Sequence, residues 1–258
     1  NFCSRIGRFL EMRALYDAAL QREDDLPRAL CQHVHGCRGA AHFALGEFDQ
    51  AIDDWLCVYE EAQRTGDEAL QRMMLARLGK VYRRAERHID AKQVLTAAIA
   101  AARIADDLAM AADALYHLGT VHWSEGENQA ALASHREARQ IVQRLNLSDI
   151  TAIQSLHGLG EALHQAGEPV QARESFEAAY ALASQIVHND QMAENLEMIG
   201  WSLLGMMGTG DNTGAREYFV QALELSERAH MSWHTACTLH GLATAQAALG
   251  DYARAIET

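Results

Sequence analysis

A glycine returns along this chain at a nearly constant interval. Gly39, Gly79, Gly119, Gly160 and Gly200 are separated by 40, 40, 41 and 40 residues, and Ala243 takes the same place 43 further on. Twelve residues after each comes an alanine, Ala51, Ala91, Ala131, Ala172 and Ala255, with Ala215 delayed by three. Seven residues beyond these lie Val58, Ala98, Ala138, Ala179 and Ala222, again small or apolar. A fixed period of this length means that one supersecondary unit is repeated and that each unit buries its apolar face against its neighbours.

The apolar spacing inside one period makes that unit a pair of helices. Leu115, Leu118 and His122, like Leu156, Leu159 and Leu163, fall at i, i+3 and i+7 on one face of a first helix, and Ala172, Phe176 and Ala179 fall at i, i+4 and i+7 on one face of a second. Between them stands a turn residue, Gly46, Gly126, Gly167, Gly210 or Gly250, with Glu86 the exception. Glycine there supplies the left-handed cap that ends a helix. Glycine inside a helix costs about 1 kcal/mol against alanine, so its recurrence points to a close helix approach. Only two prolines interrupt the 258 residues, and the 49% hydrophobic content is ample for a buried core, so the chain is expected to be all-α. Asp67, Asp107, Asp149, Asp190 and Ser232 are the expected N-caps at the junctions between units.

The Leu-Gly pair, turn glycine, alanine, aromatic and alanine of Leu118, Gly119, Gly126, Ala131 and Ala138, and of Leu159, Gly160, Gly167, Ala172, Phe176 and Ala179, resemble the tetratricopeptide repeat family. The period near 40 exceeds that family's usual 34 or so and resembles a long-helix variant found in bacterial signalling and regulatory proteins, with helices expected to run about 17 to 20 residues. The resemblance implies a right-handed superhelical solenoid of antiparallel helix hairpins, about six repeats in a single domain over 1–258. Its divisions are a partial repeat at 1–25, full repeats at 26–66, 67–106, 107–147, 148–189 and 190–231, and a partial repeat at 232–258. Residues 8–22 read as a second helix whose partner survives only as 1–7. Neither end carries a polar capping repeat, so the chain is expected to be part of a longer protein with additional domains.

In that family the first helices line a concave groove. By phase, the groove positions include His33, Cys37 and Ala40; Met73, Arg77, Lys80 and Arg84; Tyr116 and Trp123; His157, Glu161 and His164; Glu194, Glu197 and Trp201; and His240. The strongest local feature is basic: six of the 22 lysines and arginines lie between Arg72 and Arg87, opposed only by Glu86. Arg77, Lys80, Arg84 and Arg87 form one helical stripe, suited to a carboxylate, an acidic peptide segment or a phosphate, with Tyr116 and Trp123 adding apolar area. The candidate ligand-binding residues are therefore Arg77, Lys80, Arg84, Tyr116, Trp123, His157, Glu161, His164 and Trp201. The bland alternative is a solvated stripe that balances neighbouring acidic helices.

Other chemistries find little support. Cys31, His33, His35 and Cys37 split into two helix faces, Cys31 with His35 and His33 with Cys37, and cannot converge on one metal ion. His35, His42, His122 and His135 occupy phases where other repeats carry packing residues. Asp53 and Asp54 are adjacent and diverge on a helix, and the run from Gly208 to Gly214 lacks the lysine and preceding strand of a phosphate loop. Neither a catalytic site, a metal nor a cofactor is expected. The net charge of −13 repels nucleic acid and anionic membrane surfaces, no apolar run approaches a membrane span, and five scattered cysteines suit a reducing cytoplasm. The expected function is a scaffold that binds a peptide or protein segment in its groove. The alternatives are a ligand-sensing regulatory arm of a bacterial signalling protein, attached to an ATPase switch, a transcription regulator or a nucleotide cyclase, and a structural self-assembly arm.

Overall fold

The recurring glycine is a notch, and the residue that fills it stands at a fixed distance along the chain. In a computed structural model that describes residues 2–22, 25–186, 188–204, 210–228 and 231–258, a Cβ built at Gly39 would stand 2.6 Å from the Trp55 indole. At Gly160 it would stand 2.6 Å from Phe176, at Gly200 2.8 Å from Phe219, and at Gly79 it would run into Leu95. Trp55, Leu95 and Phe176 each follow their glycine by 16 residues, and Phe219 follows by 19, the same three-residue delay seen at Ala215.

Thirteen helices and no strand are present among the described residues. They are α1 (Phe2–Leu20), α2 (Arg28–Leu45), α3 (Phe48–Thr65), α4 (Glu68–Arg84), α5 (His88–Ile104), α6 (Leu108–Ser124), α7 (Asn128–Leu145), α8 (Ile150–Gln165), α9 (Pro169–Gln185), α10 (Asn189–Leu204), α11 (Asn212–Arg228), α12 (Ser232–Ala248) and α13 (Tyr252–Glu257). Apart from α1 and the short α13 they span 16 to 18 residues, slightly under the expected length. The chain divides into two compact units, residues 1–121 and 122–258. In the first, α1 packs on α2, and the hairpins α2/α3 and α4/α5 stack in sequence. In the second, α8/α9, α10/α11 and α12/α13 do the same, with α7 against α8.

The repeat alanines do what their spacing implies. Ala51, Ala91, Ala131, Ala172 and Ala215 are fully buried, as are Ala98, Ala138, Ala179 and Ala222. A continuous core in the second unit runs through Leu159, Leu163, Phe176, Ile199, Phe219 and Leu242. Turn residues Gly46, Gly126, Gly167 and Gly250 all have φ between 76° and 80°, and Glu86 adopts the same left-handed region at 58°.

The capping pattern holds in part. Asp67, Asp107 and Asp149 each accept the backbone N–H three residues on, at 3.0 to 3.1 Å. Asp190 instead lies within the first turn of α10, where the Gln191 N–H meets His188 Nδ1 at 3.4 Å. Ser232 is the first residue of α12, behind Met231 as N-cap. At the start of the chain α1 runs unbroken from Phe2, so residues 2–7 belong to the same helix as 8–20 rather than to a partner of it. In the run from Gly208 to Gly214, Gly208 and Thr209 lie outside the described residues, while Asp211 caps α11 by accepting the Gly214 N–H at 2.8 Å.

These contacts carry a direct prediction. Gly160→Ala should lower the unfolding free energy by about 1–3 kcal/mol, because overpacking against the Phe176 ring exceeds the gain in helix propensity. Phe176→Leu in the same chain should recover part of the loss. Urea unfolding followed by far-UV circular dichroism measures both, and equal stabilities of wild type and Gly160→Ala would contradict the notch.

Candidate functional site

In the first unit, α2, α3 and α4 enclose an open cleft of about 460 Å³. It is lined by the apolar side chains of Ala40, Val58, Leu70, Met73 and Met74, by Gly36, and by the polar or charged Gln32, His33, Cys37 and Arg77. His33, Cys37 and Ala40 of α2 and Met73 and Arg77 of α4, read as groove positions from helical phase, thus meet in one place, whereas Lys80 and Arg84 do not line it. Cys37 Sγ lies 3.5 Å from His33 Nε2. Cys31 and His35 line a separate cleft with Cys57, so the two Cys/His pairs do face apart. Among the described residues no group of three His, Cys, Asp or Glu is placed to hold a metal ion.

Arg77 is half-buried, and its guanidinium carbon stands 5.8 Å from the centroid of the Trp55 ring. Trp55 is itself pinned, with Nε1 donating to the Gly36 carbonyl at 3.3 Å. The ring face therefore holds a cation that lines the cleft, an attraction of about 0.5–1 kcal/mol at such exposure. The rest of the basic stripe is engaged in other ways. Lys80 Nζ lies 3.5 Å from Asp113 Oδ2 on α6. Arg84 is exposed and sits over Phe48 at 5.8 Å, while Arg87 sits over Tyr82 at 4.9 Å and pairs with Asp90 at 2.9 Å. The stripe is thus more than solvated charge: three of its arginines stand on aromatic rings of the first unit. These rings belong to α3 and α4, and sequence phase did not connect them to the stripe. Tyr116 is half-buried, with its ring 4.9 Å from that of His117.

In the second unit the expected groove residues part company. Trp123 is 39% exposed, and Glu161 and His164 are half-buried, with burial lowering the pKa of His164. Trp201 is half-buried, edge-on to Phe219 at 5.3 Å and beside the His240 ring at 5.6 Å. His157, expected to be exposed in the groove, is 3% exposed. It turns toward α10, where its Nδ1 meets Asn195 Oδ1 at 3.0 Å, and a polar partner on the next first helix is what allows it to be buried.

A second polar cluster escaped the sequence reading. Asp54 is 3% exposed and accepts two bonds from Arg38, at 2.9 and 2.7 Å, and a contact from His35 Nδ1 at 2.7 Å. Burial alone would raise its pKa, but the His35 and Arg38 hydrogen bonds outweigh that and hold it below the ordinary carboxylate range. Arg38 also reaches Asp17 on α1 at 3.0 Å, and Arg13 pairs with Glu47, so the network ties α1 to the first hairpin. The signal was present: Arg38 replaces the leucine of the Leu-Gly pair, and Asp54 stands where later repeats have Ser134 and Ser175. Of the other histidines, His42 and His122 each reach the glutamate five residues on across the turn, Glu47 at 2.6 Å and Glu127 at 2.5 Å. His135 is 2% exposed and packs against Gly158, with its pKa lowered to about 3, chiefly by burial. These contacts give those histidines roles in packing and turn closure.

Residues 76–143 and 110–185 match sequence profiles described as tetratricopeptide repeat. The matched stretch, 76–185, is therefore built of tetratricopeptide repeats. Solved structures agree on the fold, although all are distant in sequence. BtubC from P. vanneervenii superposes with a TM-score of 0.70 at 16% identity, over 81% of this chain and 87% of its own. A signal transduction ATPase with numerous domains from Pyrococcus horikoshii, carrying a tetratricopeptide repeat sensor, gives 0.75 at 14% identity, over 99% of this chain and 40% of its own. A Rap protein complexed with competence and sporulation factor gives 0.69 at 16% identity, over 99% and 74%. No curated protein matches the sequence significantly.

Two stability predictions follow from the buried polar groups. Arg38→Leu should cost about 3–5 kcal/mol by leaving the Asp54 carboxylate under-compensated, whereas Arg38→Leu with Asp54→Ser, which restores the residues of later repeats, should cost far less. A chemical denaturation cycle over the two single variants and the double separates these, and additive losses would refute the pairing. His135 stays neutral in the folded chain down to about pH 3, while the unfolded chain takes up a proton near pH 6.5. Its contribution therefore destabilises by up to about 1.4 kcal/mol per pH unit as pH falls below 6.5. His135→Phe should remove that part of the slope in unfolding measured from pH 7 to pH 4.

Proposed function

We propose that this chain is a protein-binding scaffold that seats an extended peptide segment in the cleft between α2, α3 and α4. The observation that carries this reading is Arg77, held on the Trp55 ring and lining a mainly apolar cleft whose described lining includes no acidic side chain. An apolar side chain of the segment would lie against Val58, Met73 and Met74, and a neighbouring carboxylate would meet the guanidinium. Burial supplies most of the affinity and the charge-assisted hydrogen bond fixes the register. Lys80, already paired with Asp113, contributes less. The partner is therefore a peptide or protein with an apolar residue beside an acidic one, and in this reading the chain binds rather than catalyses. No described helix is long and apolar enough to cross a membrane.

A second reading has one observation in its favour. The ATPase whose sensor is built of these repeats superposes on 99% of this chain, which then spans 40% of the larger protein. Under this reading the same cleft senses a peptide on behalf of further domains in a cytoplasmic signalling protein, and binding acts by shifting populations of the repeat array.

Peptide selection from a random display library, followed by calorimetry, tests the site. Selected sequences should place an acidic residue next to a large apolar one. Arg77→Glu and Met73→Asp should each weaken binding by tenfold or more, about 1.4 kcal/mol. Lys80→Glu should have a smaller effect. Selected peptides that bind Arg77→Glu and Met73→Asp as tightly as wild type would place the site elsewhere.

A further inference from the structure

Asn195 decides which nitrogen of His157 carries the fixed proton. The Asn195 amide nitrogen donates to the Gln191 carbonyl at 2.7 Å, so its oxygen must be the atom that faces His157 Nδ1 at 3.0 Å. A carbonyl oxygen only accepts, so Nδ1 bears a hydrogen in every protonation state of the ring. The nitrogen left to titrate is Nε2. Its charged neighbours are two carboxylates on different helices: Glu194 Oε1 on α10 at 3.5 Å and Glu161 Oε1 on α8 at 3.8 Å. With Nε2 bare, a lone pair faces two anions from within the protein. With Nε2 protonated, one N–H lies between them.

The other groups packed around the ring do not change this picture. From α7 comes His135, which is buried and neutral above about pH 3. From α9 comes the uncharged Phe176 ring, 5.4 Å away. On α10, Glu197 adds a further negative charge and is shared with His234 of α12, whose Nδ1 lies 4.0 Å from it. Glu194 also accepts from the Gln191 side chain at 2.6 Å, which holds it in place on the α10 side.

We propose that protonated His157 is a pH-responsive tie between α8 and α10, bridging Glu161 and Glu194 across two successive first helices, and that loss of the Nε2 proton turns this tie into a repulsion that loosens the face. Desolvation works against the charged ring, and Glu194, Glu161 and the Asn195 hydrogen bond overcome it, so the pKa of His157 is raised above its ordinary value. A raised folded-state value means that the tie is fully in force below about pH 6.5, the unfolded value, and is lost as pH rises through the folded one. The neighbouring residue has the opposite environment. Gly158 packs on His135, whose ring is held neutral by burial. The α8–α10 contact of the second unit thus changes charge and cohesion as pH rises above 6.5.

The test is a pH titration of the full chain with ¹⁵N-labelled histidine, in which His157 is assigned through its contact with the Phe176 ring. At pH 6 both ring nitrogens of His157 should carry protons, with Nε2 titrating above pH 6.5. In Glu161→Gln/Glu194→Gln, near-isosteric changes at half-buried positions, the titration should move downward past that value. Thermal unfolding should show Tm falling between pH 6 and pH 9 in wild type, with the fall reduced in the double variant. A His157 ring singly protonated at pH 6, or a titration midpoint unmoved by the double substitution, would overturn the proposal.

Discussion

Four hairpins of this protein depend on one contact, in which a large side chain on the second helix enters the space where the first helix has no Cβ. The contact constrains both partners. The first helix accepts glycine in its middle, which weakens it as an isolated helix. The second must deliver Trp55, Leu95, Phe176 or Phe219 at the matching height, which fixes the length of the turn between them. Phe219 shows how firmly the rule holds. The inter-helix segment before α11 is longer, and the aromatic is displaced by the same three residues, so that its ring still reaches Gly200 and also fills a second notch at Gly241 on α12. Interior packing at crystal-like density leaves little room for alternatives.

Where the repeat abandons its apolar pattern, the structure answers with a polar partner. Arg38 takes a leucine position, and Asp54, His35 and Asp17 gather around it. His157 leaves the expected groove surface, and Asn195 and two glutamates receive it. His135 is the contrasting case, buried against Gly158, and burial keeps it neutral. Burial opposes charge at all three sites, and only the arrangement of neighbours decides whether the group stays ionised.

The same principle bears on binding. A run of six basic residues on a chain of net charge −13 suggests a simple electrostatic patch. The structure distributes it among different roles, with Lys80 paired to Asp113, Arg84 and Arg87 lying over rings at the surface, and Arg77 poised at an apolar cleft. Held on Trp55 rather than paired with an acid, Arg77 combines a positioned cation with adjacent apolar surface. Under the proposed function, that combination would recognise a peptide more selectively than diffuse charge, which salt screens.

Period, helix phase and turn chemistry are local or strictly repeating properties, and for that reason the amino-acid sequence alone determined the class of fold, the hairpin succession and the buried alanines. It also placed His33, Cys37, Met73 and Arg77 on helix faces that do converge, because successive first helices present the same phase to one side. The Arg38 and Asp54 pair was legible in principle as a double departure from the repeat, although adjacency to Asp53 hid it. What only the tertiary structure decided was which partner each polar side chain would find. His157 and Trp123 share a groove phase, yet one is buried against Asn195 and the other exposed, and Arg77 and Lys80 lie one helical turn apart with a ring and a carboxylate as their respective neighbours. Such pairings depend on contacts between helices 16 to 38 residues apart in the chain, and no periodicity encodes them.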